Sequence, residues 1–462
     1  MRLSRYVHCV PLGPQLMAWY HALKIKPVFV HPQFAKGVTR SLRRMSRRSP
    51  YAQYWAALEV QGLIVDSEQD DDRCLELAKR TIAPPAIAVM YLLLTDSCNF
   101  ACRYCFVENR LPGGQGHCFM TQETAAAAIE YYAQSLVRAR RVWQSPKQIV
   151  TFYGGEPLLN EPVFRFAVQR LREYKRDGKL PESVTLSLIT NGSCLSADLA
   201  VFIRENGVNV SVSLDGGREA TDLHRRDRGG LPVFDRVMQG IAELQAAQVP
   251  VGISCTINAR TLADPQDTID FLMRTAQGAG VGFNIIMRDS AVELPADYEA
   301  QASRLILMAF DQFRQRGIYE DRIMRKVRAF SRQGVYPFDC SAAGANQIVV
   351  APDGALGICH GYIGSRRHFV GSVFDPDLIV EKTPVYQEWH KRSPLFMPQC
   401  QECIALGICG GGCPCNAELA HGSIWELDER FCTHAKLTLE WLIKDLWLQM
   451  SLRMAKEAEH GP

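Results

Sequence analysis

"AIAVMYLLLTDSCNFACRYCFVEN", residues 86–109, joins an unbroken apolar run to a polar loop carrying Cys98, Cys102 and Cys105. A short apolar run of this kind, entered through Pro84 and Pro85 and closed by Thr95 and Asp96, reads as a strand buried on both faces. The loop after it spaces three thiols x3 and x2 apart. A structural zinc site takes four protein ligands and a cubane cluster has four irons to hold, so three cysteines leave one metal position for something else.

Five more runs repeat the pattern downstream: "QIVTFY" (148–153), "VTLSLIT" (184–190), "VNVSVSL" (208–214), "VGISCTI" (251–257) and "VGFNIIM" (281–287). Amphipathic stretches such as "TQETAAAAIEYYAQSLVRA" and "PVFDRVMQGIAELQAA" separate them. Strands alternating with helices predict an α/β fold with a parallel sheet, either an open doubly wound sheet or an incomplete barrel. Polar or glycine-rich residues follow four of the six strands: 95–105, "GGEP" (154–157), "NGS" (191–193) and "DGG" (215–217). Ligands bind at the carboxyl ends of such strands, so these four loops are expected to converge on one site.

The 462 residues are 47% apolar and 22% charged, ordinary for a globular chain of two or three domains. Pro11, Pro14 and Gln15 break any N-terminal apolar segment, and the run from Ala86 to Leu94 is too short for a bilayer, so a cytoplasmic protein without a membrane partner is expected. Sixteen cysteines at short spacings in a chain of this size point to metal rather than to disulfides. Residues 1–50 hold ten Lys or Arg and no Asp or Glu, which localises the basic character.

Cys98-x3-Cys102-x2-Cys105, with Tyr104 just before the last cysteine, resembles the signature of the radical S-adenosylmethionine (radical SAM) enzymes, and "GGEP", "NG" and "SLDG" fall where that family places its cofactor motifs. The resemblance runs over roughly residues 86 to 290 and implies a partial (β/α)6, TIM-like barrel. It implies that the three thiolates hold a 4Fe-4S cluster, whose fourth iron takes the amino and carboxylate groups of S-adenosyl-L-methionine. One electron from reduced flavodoxin or ferredoxin would then release a 5′-deoxyadenosyl radical. Carried over by position, Gly154, Gly155 and Glu156 meet the methionine amino group, Asn191, Ser213 and Asp215 contact ribose or methionine, Arg228 pairs the methionine carboxylate, and Tyr104 belongs with the cofactor contacts.

A second pattern, Cys340, Cys359, Cys400-x2-Cys403-x5-Cys409-x3-Cys413 and Cys432, resembles the SPASM extension and implies two auxiliary 4Fe-4S clusters, three clusters in all. Cys400, Cys403, Cys409 and Cys432 would hold the outer one, and Cys340, Cys359 and Cys413 the inner one. Some relatives add a cysteine just before the first of these, whereas "SRQGVYPFDC" has none. Cys415 is a spare thiol nearby, although one intervening residue, Pro414, leaves it little freedom to share a cube with Cys413, which favours an open iron. Residues 400–413 taken alone also suit a zinc ribbon. His360 stands where sulfatase-type maturases of this family carry an aspartate base, which weighs against a formylglycine reaction while leaving imidazole as a candidate base. Cys194 and Cys255 read as core residues.

Three domains are expected: 1–84, 85–320 and 321–462, the last ending in a helix. Residues 1–84 read as short strands followed by helices and resemble a winged-helix peptide-recognition element, which would add a leader peptide to a sheet edge. The cationic run with Arg43, Arg44, Arg47 and Arg48 suits an acidic leader, a plain solvated basic helix being the alternative. No aromatic-interleaved motif accompanies it, so no nucleic-acid partner is expected. The sequence reads as a radical SAM/SPASM oxidoreductase modifying a precursor peptide. The alternatives are a maturase of a protein substrate of the sulfatase or quinoprotein kind, and a non-catalytic iron–sulfur electron carrier.

Overall fold

The computed structural model describes residues 1–45, 48–107, 117–139, 147–287 and 291–460, with the backbone alone for 458–460. Arg47 lies outside the described residues. In chain order the strands are β1 (Arg2–Leu3), β2 (Val7–Gly13), β3 (Leu16–His21), β4 (Lys26–Val30), β5 (Ile64–Val65), β6 (Val89–Leu93), β7 (Ile149–Tyr153), β8 (Thr185–Thr190), β9 (Val208–Ser213), β10 (Val251–Ile257), β11 (Val281–Ile285), β12 (Gln347–Val350), β13 (Ala355–Gly357) and β14 (Phe369–Ser372).

All six apolar runs are strands, β6 to β11, and each is hydrogen-bonded in parallel to its neighbours in sequence order. Helices Gln122–Ala139, Glu161–Arg176, Ala197–Glu205, Phe234–Ala246 and Pro265–Ala276 return the chain between them, and Tyr298–Gln315 follows β11. Met90, Leu92, Phe152, Leu188, Val212, Ile253 and Phe283 fill the core between sheet and helices. The sheet then continues on the β6 side: β12 pairs in parallel with β6, and β13 and β14 add antiparallel to it. Strand pairing thus runs across the boundary expected near residue 320. This α/β sheet is consistent with a radical SAM partial barrel, and the parallel order of β6 to β11 brings the carboxyl ends of those six strands to one edge.

Residues 1–80 form a β2-β3-β4 antiparallel meander with helices Pro32–Arg43, Trp55–Val60 and Glu68–Arg80 and the small β1–β5 pair. The Trp55–Val60 helix stops where Gly62 turns left-handed (φ 74°), a conformation cheap for glycine. One face of the unit packs on itself through Trp19, Val38, Leu42 and Trp55. The other does not: Tyr6, Val10, Tyr20, Ile25 and Leu75 share a core with Leu406, Ile408, Ala435, Leu439 and Ile443. Among the described residues no helix is long and apolar enough to cross a membrane.

Candidate active site and cysteine groups

The cysteine loop is clamped from both sides. On one, the Gly155 N–H donates to the Thr95 carbonyl at 2.9 Å and the Glu156 N–H to the Ser97 carbonyl at 2.8 Å. The approach is close enough to require glycine, since a Cβ would lie 2.2 Å from the Thr95 oxygen at residue 154 and 2.1 Å from the Ser97 oxygen at residue 155. On the other side, the N–H groups of Ala101 and Arg103 donate to the carbonyls of Arg226 (2.8 Å) and His224 (3.0 Å). Arg228 Nε donates to the Cys98 carbonyl at 2.6 Å. Arg228 therefore holds the cysteine loop from its exposed side.

Burial, and after it neighbouring charges that include the other thiols of the loop, pushes Cys98 up to about 12. Cys102 is pushed up to about 12 by burial, opposed by the Arg225 guanidinium. Neutral thiols at this depth become thiolates by exchanging protons for metal, and the Cys98 sulfur already accepts the Phe100 N–H at 3.4 Å. Among the described residues no three His, Cys, Asp or Glu side chains close on a single ion. Three thiols on one loop would suit a four-iron cube with one iron left free of protein ligands.

Behind Cys102 lies a buried polar network. The Tyr104 hydroxyl donates to Asp215 Oδ2. Asp215 Oδ1 accepts from Arg225 Nη2 at 2.9 Å and from the Thr256 N–H at 3.0 Å. The Arg225 guanidinium also lies 5.4 Å from the centre of the Tyr104 ring. Asp215, expected to contact ribose or methionine, is fully buried and engaged with these three partners. Arg225 is the residue that sequence reasoning missed: "HRRDRGG" offers three arginines, and only the fold shows that the first of them turns inward.

Glu156, expected to meet the methionine amino group, is likewise engaged within the protein. Its carboxylate is fully buried and accepts from Leu158 N (3.1 Å), Thr190 Oγ1 (2.7 Å) and Asn191 N (2.7 Å). It ties the loop after β7 to the loop after β8, and burial pushes it up to about 7 against those bonds. Asn191 Nδ2 donates to Asn99 Oδ1 at 2.8 Å, fastening the same loop to the cysteines. Ser213 is half-buried at the end of β9, on the same edge of the sheet.

His360 follows β13 and enters an aromatic box of Tyr91 on β6 (ring centroids 4.9 Å apart), Tyr153 on β7 (5.1 Å) and Phe106 of the cysteine loop (5.4 Å). Its Nδ1 is buried without a hydrogen-bond partner, and burial pushes the imidazole down to about 4. It is therefore a neutral imidazole packed against Phe106 of the cysteine loop.

The remaining cysteines fall into two groups. Cys432 is pushed up to about 12 by burial and then by Cys409, Cys400 and Cys403, and Cys400 up to about 12 by burial and then by Cys409 and Cys403. In the second group, Cys413 is raised by burial and then by neighbours that include Cys415 and Cys340, and Cys359 is hydrogen-bonded to Cys415. Gly410, Gly411 and Gly412 link the groups with three successive left-handed residues (φ 74°, 81° and 70°), a turn that side chains would strain at every step. The fully buried Arg392 donates to the carbonyls of Gly411, Ile424 and Glu426 and lies beside cysteines of both groups, Cys413, Cys409 and Cys400.

Among curated proteins, the chain is 24% identical to a serine-type anaerobic sulfatase-maturating enzyme of Klebsiella aerogenes, over 75% of this chain and 84% of that one. It is 22% identical to the radical SAM cyclopropyl synthase TigE of Paramaledivibacter caminithermalis, over 78% and 74%. Among solved structures, native anSMEcpe with bound AdoMet and Cp18Cys peptide superposes with a TM-score of 0.63 at 19% identity, covering 78% of this chain and 98% of that one. Streptococcus suis SuiB bound to precursor peptide SuiA covers 93% of this chain and 99% of its own, with a TM-score of 0.51 at 12% identity. These two show a shared fold. Residues 92–272, which hold the cysteine loop and the loops gathered around it, match the Radical SAM superfamily, and the chain carries a domain of that family.

Proposed function

We propose that this radical SAM enzyme oxidatively modifies a residue of a ribosomally made precursor peptide, using two auxiliary clusters in a SPASM-like C-terminal region (321–462) and a winged-helix-like leader-binding unit (1–84). The observation that carries the reading is the three-thiol loop clamped at the carboxyl edge of the parallel strands, backed by two further cysteine groups. With S-adenosylmethionine bound, the cluster supplies one electron and a 5′-deoxyadenosyl radical that abstracts hydrogen from carbon. The chain's own residues position and shield. Cys98, Cys102 and Cys105 would hold the cluster, Tyr104, Asp215 and Arg225 brace it from behind, and Gly154, Gly155, Asn191, Ser213 and Arg228 frame the cofactor. His360 offers a neutral acceptor for a substrate proton.

A peptide substrate is supported by SuiB, whose match covers 93% of the chain and so cannot omit the first 84 residues. The leader would add to an edge of the β2-β3-β4 sheet, with Arg43, Arg44 and Arg48 as the cations for its acidic residues. Maturation of a protein substrate is the second reading, supported by the sulfatase-maturating relatives, while histidine at 360 weighs against their aspartate chemistry.

Anaerobic turnover with reduced flavodoxin, followed by mass spectrometry, tests the proposal. Deoxyadenosine should form, and replacing Cys98, Cys102 and Cys105 by Ala should abolish it. A short acidic peptide encoded beside the gene should lose hydrogen, whereas formylglycine in a sulfatase peptide would select the second reading. About twelve irons per chain are expected, against about four irons and one zinc for a zinc ribbon.

A further inference from the structure

The inner cysteine group contains one thiol more than the sequence spacing assigns to it. Cys415 is the second residue of helix Pro414–His421 and is 1% exposed. A Cβ on Gly361 would lie 2.6 Å from the Cys415 sulfur and 3.5 Å from the Cys359 sulfur, so both thiols converge over one glycine backbone. Cys359 and Cys415 are hydrogen-bonded to each other, and Cys413 has both Cys415 and Cys340 as neighbours. Two of the sulfurs already accept backbone N–H groups, Cys340 from Ala343 and Cys359 from Gly361, each at 3.4 Å. Such bonds favour charge on sulfur in iron–sulfur sites.

Cys255 shows what a plain core thiol looks like in this protein. It is fully buried on β10, and the charged neighbours that bear on it are Asp215 and Arg225, not other thiols. Cys415 is surrounded differently.

The proline between Cys413 and Cys415 does not keep them apart, because the helix begins there. Cys413 is the N-cap, with an extended backbone (φ −98°, ψ 112°), and Pro414 opens the helix. A one-residue spacing therefore puts both cysteines at the helix start. The positive end of the helix dipole suits an anionic cluster there.

We infer that Cys415 is the fourth ligand of the inner auxiliary cluster, with Cys340, Cys359 and Cys413, so that this cluster is fully thiolate-ligated and keeps no iron open for a substrate group. The inference rests on the proposed presence of that cluster. If it holds, the substrate is recognised elsewhere, and direct capture of a substrate thiolate is not how this enzyme works.

The test compares full-length wild type, Cys415→Ala, Cys415→Ser and Cys359→Ala after anaerobic reconstitution, by iron and sulfide content and low-temperature electron paramagnetic resonance. Cys415→Ala is expected to lose about four irons per chain, as Cys359→Ala does, or to show a three-iron signal. Cys415→Ser, which keeps the shape and supplies a weak oxygen ligand, is expected to keep its iron with an altered signal from the reduced cluster. Unchanged iron and unchanged spectra in both Cys415 variants, with iron lost from Cys359→Ala, would overturn the inference alone. Full iron in Cys359→Ala would overturn the inner cluster itself, and the inference with it.

Discussion

The carbonyl oxygen of Ala22, just past β3, lies against Gly407 in the outer cysteine loop so closely that a Cβ on residue 407 would sit 2.2 Å from it. The same Cβ would lie 2.8 Å from Ile25 Cγ1. The N-terminal unit is therefore packed directly on the segment between Cys403 and Cys409, through the core it shares with Leu406 and Ile408.

Gly407→Ala is expected to force the two apart at the cost of overpacking, roughly 1–3 kcal/mol. The measurement is iron content beside thermal unfolding. Loss of about four irons with deoxyadenosine formation retained is expected, because the radical SAM loop lies in the barrel and not at this contact. A chain started at Pro84 should show the same loss. Full iron in either variant would mean that the N-terminal unit can leave without disturbing the outer group.

The six parallel strands were legible because each is a short apolar run separated from the next by an amphipathic stretch, and a glycine-rich or polar loop closes four of them. Short strands followed by helices were legible in residues 1–84 as well, and β2, β3 and β4 are such strands. β12 was not: "QIVV" is a four-residue segment whose pairing with β6 joins residues more than two hundred positions apart. The shared core around Gly407 was also invisible, since either face of β3 could have been the outer one. The resemblance assigns the outer and inner cysteine groups; for Cys415 the spacing alone favours an open iron, because it does not show that a helix starts between the two cysteines. The hydrogen bonds that hold Glu156 and Asp215 were not legible, since a buried acid satisfied from three sides has the same sequence appearance as one facing a cofactor.

Glu156 gives a pH prediction with a definite sign. Its folded value is raised from 4.5 to about 7, chiefly by burial. Below 4.5 both states are protonated; between 4.5 and 7 the folded chain keeps a proton that the unfolded chain releases, so stability falls as pH rises through that window and then levels. Glu156→Gln should remove this decline, roughly 3 kcal/mol in full. The check is the stability difference between wild type and variant at pH 5 and pH 8 in metal-free protein. A difference that does not change with pH would mean the carboxylate titrates alike in both states.

Arg392 gives a second electrostatic prediction. It is a fully buried cation with cysteines of both groups as neighbours, and burial lowers its affinity for a proton. Arg392→Met would strand three carbonyls and is expected to cost several kcal/mol. Arg392→Lys keeps the charge but not the fork. In reconstituted protein, losing the cation should make reduction of the two proposed auxiliary clusters harder, with Lys intermediate, as read by redox titration. Equal potentials in all three proteins would reduce Arg392 to a structural tie.

The last prediction concerns His360, which could be a base or a filler of the aromatic box. Phe is the discriminating replacement, since it preserves contacts with Tyr91, Tyr153 and Phe106 while removing both nitrogens. If the imidazole accepts a substrate proton, His360→Phe should still form deoxyadenosine but modify substrate about 10²-fold more slowly, the scale of a lost general base. Because burial holds His360 down to about 4, it stays neutral above that pH and should impose no rate change of its own between pH 5 and 8. His360→Asp tests the same point from the other side, by restoring a carboxylate at the position where a histidine stands. If His360→Phe modifies substrate at the wild-type rate, the ring is packing and the base lies elsewhere. A wild-type rate that falls as pH drops from 8 to 6 through a single ionisation, and loses that dependence in His360→Phe, would instead show that substrate binding wets the box and returns the imidazole to its ordinary range.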